Sequence, residues 1–107
     1  MSGTQTVQSE SKESIRVPIT TSADPTATAP QFSVSTSQVD PGSWVNGTWS
    51  GTWDPSTQET MALTPTLGST AAGATISLTA GTVYWLWARI TVGAEVGVWP
   101  VGRIVCP

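Results

Sequence analysis

Leu78-Thr79-Ala80-Gly81-Thr82-Val83-Tyr84-Trp85-Leu86-Trp87-Ala88-Arg89-Ile90-Thr91-Val92 is the stretch on which the reading of this 107-residue chain turns. Gly81 marks a turn, and the β-branched and aromatic run after it favours an extended strand over Thr82 to Val92. Both parities of that run are apolar. Tyr84, Leu86, Ala88 and Ile90 fall on one side; Val83, Trp85 and Trp87 fall on the other. An antiparallel strand normally keeps one wet face, so one parity is expected in a core and the other in an interaction patch.

Period-two alternation continues on both sides of this strand, and no window carries a helical period. Ile15, Val17 and Ile19 alternate with Arg16 and Pro18; a proline there predicts an edge strand. Phe32 and Val34 form a second strand. Val45, Trp49 and Trp53 share a parity in a third, which Gly47 and Gly51 weaken enough that it reads equally as two shorter pieces. Met61, Leu63 and Leu67 are the inward residues expected of a fourth, and Ala74, Ile76 and Leu78 of a fifth. Val98 to Val105 is the last, joined to the Thr82 strand by a short turn at Gly93 to Glu95. Asp24-Pro25, Asp40-Pro41 and Asp54-Pro55 separate the strands, because Asp accepts backbone bonds two residues on while Pro fixes φ. Seven short strands with such punctuation predict an all-β, antiparallel β-sandwich over residues 15–107. Residues 1–14 have one apolar side chain beyond the initiator, Val7, and read as a polar arm that is mobile alone.

Composition narrows the chemistry. The chain has no histidine, one cysteine, four basic and seven acidic residues, and a net charge of -3. Thirty-one serines and threonines carry the polar surface instead. A usual zinc site, a Ser-His-Asp triad and a Cys-His pair all lack their residues. The basic footprint that phosphates require is missing, so no nucleic-acid partner is expected. The longest apolar run, Val83 to Ala88, is far short of the ~20 residues of a membrane span, and Met1 to Ser14 shows no apolar signal segment. No carboxylate pair is placed for acid–base work, no cofactor motif is present, and three isolated Asp-Pro turns match no calcium loop. A non-enzymatic binding or structural module is expected.

Leu78 to Tyr84 resembles the L-x-P-G-T-x-Y corner of fibronectin type III domains, with Ala80 in place of the usual Pro. That resemblance implies an immunoglobulin-like sandwich in which Leu78, Gly81 and Tyr84 form a structural corner, the Tyr84 hydroxyl bonding to backbone upstream. It makes Ala74 to Thr79 strand E, Thr82 to Val92 strand F and Val98 to Val105 strand G. Further stretches are Ala23 to Thr26 before Phe32 and Val34, Trp44 to Trp49, Trp87 to Thr91, and Val101 to Ile104. With these, the chain resembles the small immunoglobulin-like virion proteins of tailed phages, especially those of actinobacteria. The family implies a head decoration, minor capsid or tail-associated protein made in the host cytoplasm. Its partners would be major capsid or tail proteins, or further copies of the chain.

On that reading Trp85 and Trp87 are the apolar anchors, and Ile15, Val17 and Ile19 belong to an edge strand open to pairing. A second reading is a carbohydrate- or receptor-binding module, in which Trp44, Trp49 and Trp53 make a stacking platform. Arg89 and Arg103 are expected to pair across the last hairpin or with Glu95.

Overall fold

In the computed structural model, which describes residues 4–37 and 39–107, the chain is all-β, with no α-helix and one turn of 3-10 helix at Thr70–Ala72 among those residues. The strands are β1 (Thr4–Thr6), β2 (Lys12–Glu13), β3 (Arg16–Thr20), β4 (Gln31–Ser35), β5 (Val45–Asn46) and β6 (Thr48–Trp49). They continue with β7 (Glu59–Leu63), β8 (Leu67–Gly68), β9 (Ile76–Ser77), β10 (Thr82–Val92) and β11 (Glu95–Cys106). A five-stranded sheet has the order β1-β11-β10-β4-β5, and two three-stranded sheets have the orders β3-β7-β6 and β2-β8-β9. Their inner faces share one core, to which Val17, Ile19 and Ala62 contribute from one sheet and Phe32, Leu86, Ala88, Ile90 and Ile104 from another. This arrangement is consistent with a β-sandwich.

The long hairpin of β10 and β11 is the centre of the five-stranded sheet. Its turn is two residues long, since Val92 pairs with Glu95, and Gly93 has φ 60°, as the first central position of a type II′ turn requires. Pairing runs in register to Trp87 opposite Pro100 and then slips, so that Leu86 faces Gly102. Val101 is the extra residue of this bulge and is buried in the core. A bulge is the arrangement that tolerates Pro100, which has no N–H for the ladder.

Several expected elements come out differently. The strand over Val45 to Trp53 is divided: β5 pairs with β4 in the large sheet, and β6 pairs with β7 in the opposite one. The chain crosses between sheets at Gly47, which is buried and donates its N–H to Pro30 O at 2.7 Å. No side chain fits there, because a Cβ would overlap Leu63 O and sit 2.7 Å from Phe32 Cε2. In β7 the inward parity is the reverse of that expected. Thr60 and Ala62 are buried, while Met61 and Leu63 are half-buried, because Ala62 stands between Val17 and the ring-bearing Trp49 on the neighbouring strands. Ala74 to Thr79 shrinks to β9, a two-residue parallel partner of β8, and the strand that pairs with β3 is β7.

The N-terminal segment is docked over residues 4–14; residues 1–3 of the expected arm lie outside the described residues. β1 pairs parallel with β11, Thr4 opposite Arg103, and Val7 donates its N–H to Val105 O at 3.0 Å. Val7 is buried in the core, so the one apolar side chain of the segment is the one that fastens it.

Two of the three Asp-Pro turns carry the same side-chain motif. Asp24 Oδ1 accepts from the N–H and hydroxyl of Thr26 at 2.9 and 2.6 Å, and Asp54 Oδ1 accepts from those of Ser56, both at 2.8 Å. The hydroxyl bonds, then the backbone bonds, hold both carboxyls below the usual carboxylate range. Asp40-Pro41 is followed by Gly42, which has no hydroxyl to offer.

At the corner before β10, Leu78 is buried, Gly81 has φ 78° and donates its N–H to Cys106 O at 2.7 Å, and the Tyr84 hydroxyl accepts from Thr79 N–H at 2.8 Å. Replacing Tyr84 with Phe leaves that N–H without its acceptor; urea unfolding is expected to show a loss of about 1 kcal/mol. Gly47→Ala is expected to be far worse, because the overlap involves backbone and a core ring. A loss above ~3 kcal/mol, seen as failure to recover soluble folded protein, is the expected result.

Candidate interaction face

The register of the five-stranded sheet fixes which side chains leave the core together. Residues directly opposite share a face. Trp85 lies between Ser35 and Arg103, Trp87 between Ser33 and Pro100, and Arg89 between Gln31 and Val98, with Val83 opposite Val105 and Thr91 opposite Val96 at the two ends. This is the outward parity, because Leu86, Ala88 and Ile90 belong to the core.

Half of that face is covered. After β4 the chain turns back at Ser35, whose hydroxyl donates to Asp40 O at 2.9 Å, and it passes over Ser33, where a Cβ at Gly42 would lie 3.4 Å from Oγ. Ser33 is fully buried and Trp87 is only 8% exposed. Their side-chain polar atoms, Ser33 Oγ and Trp87 Nε1, have no hydrogen-bond partner among the described residues. The segment then reaches Trp44, whose ring lies 4.7 Å from the guanidinium carbon of Arg89.

The other half, over β10 and β11, is open. Val96, Val98 and Val83 are 57%, 47% and 45% exposed, and Pro100 and Arg103 are exposed as well. Arg103 lies over the half-buried Trp85 ring at 6.0 Å. Arg89 is fixed more firmly: its Nε donates to Gln31 Oε1 at 2.7 Å, and Gln31 Nε2 donates to Asn46 Oδ1 at 3.1 Å. Both arginines thus stack on tryptophans, where a pairing across the hairpin or with Glu95 was expected. The face combines apolar area with two guanidinium groups on aromatic rings, contacts worth roughly 0.5–1 kcal/mol each at exposed sites.

The residues singled out from sequence are dispersed. Trp85 stands on the open half, but Trp87 is internal, because the returning segment closes the face over it. Val17 and Ile19 are buried on the inner side of β3, and Ile15 is half-buried against the core. β3 is an edge strand, yet a poor one for pairing. Thr21 N–H donates to Gln58 O and Thr64 N–H to Ile15 O, so in the ladder with β7 the odd residues face the partner strand. The even residues, Arg16, Pro18 and Thr20, face outward, and the middle one has no N–H.

The three tryptophans of the stacking platform are likewise apart. Trp44 is on the outer face of the large sheet, while Trp49 packs against the core from the opposite sheet and donates Nε1–H to Thr28 O at 2.9 Å. Trp53, half-buried beyond β6, has its Nε1 buried without a hydrogen-bond partner among the described residues. They do not share one surface. Among the described residues no three His, Cys, Asp or Glu come together as a metal site, and no helix is long and apolar enough to cross a membrane. Among the described residues are clefts with cavity volumes of about 20, 220 and 200 Å³, each below the ~300 Å³ at which small-molecule pockets begin.

The residues that sequence reasoning missed are Val96, Val98 and Gln31. The two-residue turn at Gly93-Ala94 would have placed Val98 opposite Arg89, but the strand was expected to begin only at Val98. The contrast between the two central tryptophans is testable. Trp87→Ala is expected to lose ~3–5 kcal/mol, as large internal aromatics do, whereas Trp85→Ala is expected to lose ~1 kcal/mol and keep the folded state; parallel urea titrations measure both.

Comparison with protein-family models, with curated proteins and with solved structures finds no match to this chain.

Proposed function

We propose that the chain is a non-enzymatic structural protein of a phage virion, a head decoration or minor capsid protein built as an immunoglobulin-like sandwich. It docks on the particle through the open half of the β10–β11 face. The observation that carries this reading is the exposed run Val83, Val96, Val98 and Pro100 around the half-buried Trp85, on the central hairpin of an all-β chain that has little charge. Charged residues are depleted and aromatic residues and Arg enriched at interface cores, which is the composition of this face. The Tyr84 hydroxyl bond to Thr79 N–H supports the fibronectin III-like resemblance, because that corner is what the family pattern encodes. β1 adds a short polar strand beside the face, fastened by Val7, and supplies a second point of attachment.

Nothing in the geometry favours the carbohydrate-binding alternative, since Trp44 and Trp49 of its platform lie on opposite sheets. The test is quantitative mass spectrometry of purified particles, with the major capsid protein as the internal standard. The wild-type chain is expected at a fixed stoichiometry, and Val98→Glu, at an exposed position, is expected to fold normally and fall at least tenfold in copy number. Absence of the wild-type chain from particles, or full incorporation of Val98→Glu, would overturn the proposal.

A further inference from the structure

The outward-facing strand residues of the five-stranded sheet include two of the chain's four basic residues, Arg89 and Arg103, and no carboxylate. The rest of the chain is acidic, with a net charge of -3 overall. Asp40, the acid carried toward this face, sits on the returning segment at the β4 side, where its backbone carbonyl is held by Ser35. The face is therefore a local cationic site on an acidic molecule.

The two guanidinium groups are also prepared to bind. The side-chain bond of Arg89 to protein among the described residues is through Nε, to Gln31, which is itself held by Asn46. Stacking on Trp44 fixes the plane of the group, so its two terminal nitrogens form a fork held in place before any ligand arrives. Arg103 is exposed, stacked on Trp85, and has no such tether among the described residues. A planar fork of this kind matches a carboxylate through two parallel N–H···O bonds.

Spacing gives the partner its dimensions. Arg103 is directly opposite Trp85, four residues along β10 from Arg89 and one strand across. At ordinary strand spacings the two Cα positions are roughly 14 Å apart. Pro100 of β11 lies between the two arginines along the face, Val98 lies directly beside Arg89, and Val96 lies just beyond it.

We infer that the partner is a protein surface presenting two carboxylates about 14 Å apart, one to each arginine, with apolar side chains between them. The inference rests on the docking reading for the use of this face and adds the chemistry of what it docks. A protein fits better than a polyanion, because a proline between the charges and valines beside Arg89 gain nothing from a hydroxylated or phosphorylated backbone. A second copy applied face to face would set arginine against arginine.

The probe is the extended peptide acetyl-Glu-Thr-Val-Thr-Glu-amide, whose carboxylates are four residues, or about 13 Å, apart. It is titrated into ¹⁵N-labelled full-length protein, with Gln and Lys replacing both Glu in two controls. The Arg89 and Arg103 Nε–H and Trp85 Nε1–H signals are expected to shift with the Glu peptide. The Gln peptide is expected to bind at least tenfold more weakly and the Lys peptide not to shift them. Arg89→Glu with Arg103→Glu is expected to reverse the preference. Should that pair not fold, Arg103→Glu alone, at an exposed position, is expected to weaken the Glu peptide at least threefold.

Equal binding of the Glu and Gln peptides, or shifts that map elsewhere, would overturn the inference. So would polygalacturonate acting on the same signals below the peptide's concentration, which identifies an acidic glycan site. A dimer in sedimentation that Arg103→Glu dissolves would identify a second copy as the occupant instead. The peptide experiment uses no particles, so its failure is distinct from absence of the chain from virions.

Discussion

The ladder between β10 and β11 is the constraint on which the rest of the molecule depends. β10 is the central strand of the five-stranded sheet, paired to β11 along its whole length on one side and to β4 on the other. Its inward parity, Leu86, Ala88 and Ile90, meets the core, where alternation leaves no freedom: a slip by one residue would send three apolar side chains out and Arg89 in. Two local features hold that register. Gly93 supplies the positive φ of the tight turn at one end, and the bulge at Val101 absorbs Pro100 in the middle. The outer face is the consequence. Once Leu86, Ala88 and Ile90 point inward, Trp85, Trp87 and Arg89 have one side to occupy, and the register brings Arg103 beside Trp85 and Val98 beside Arg89.

What the chain does with an apolar second face follows from the loop between β4 and β5. A strand with both parities apolar needs cover or a partner. The loop gives cover to Ser33 and Trp87 and ends by placing Trp44 over Arg89. Among the described residues Ser33 Oγ and Trp87 Nε1 are buried without hydrogen-bond partners, and groups left so cost about 1–3 kcal/mol each. The loop also stops short of β11. The molecule therefore divides its surplus apolar parity into a part that is internal and a part that is presented.

Strand content was legible in the sequence because period two is a local signal. Thr82–Val92 coincides with its expected bounds, and the corner before it is visible in Leu78, Gly81 and Tyr84 as residue types with fixed jobs. The losses occurred where long-range packing overrides the local pattern. Ala62 faces inward although Met61 and Leu63 are larger, because Trp49 on the next strand fills the space that a bigger inward side chain would need. Val45 and Trp49 share a parity on paper but lie in different sheets, because the chain changes sheet at Gly47. Trp85 and Trp87 have the same parity and identical chemistry, yet the loop covers one and not the other; nothing within five residues of either encodes that. The polar segment before Ser14 looked unable to hold itself, and its attachment to β11 rests on backbone bonds, to which sequence polarity is blind, and on the single apolar side chain of Val7.

The edges of the sheets bear on how such a chain associates. β3 turns the donorless Pro18 outward, β5 and β6 are two residues long, and β1 caps β11 with three exposed polar residues. Short, polar or proline-bearing edges are the devices by which sheets resist strand addition. A chain so protected at its edges has little backbone left to offer a partner, and its side chains must make the contact. Among those side chains the hydroxyls that cover most of the surface are weak and unspecific anchors. Aromatic rings and arginines are strong ones, and the open half of the β10–β11 face is where the register concentrates Trp85, Arg89 and Arg103 among exposed valines.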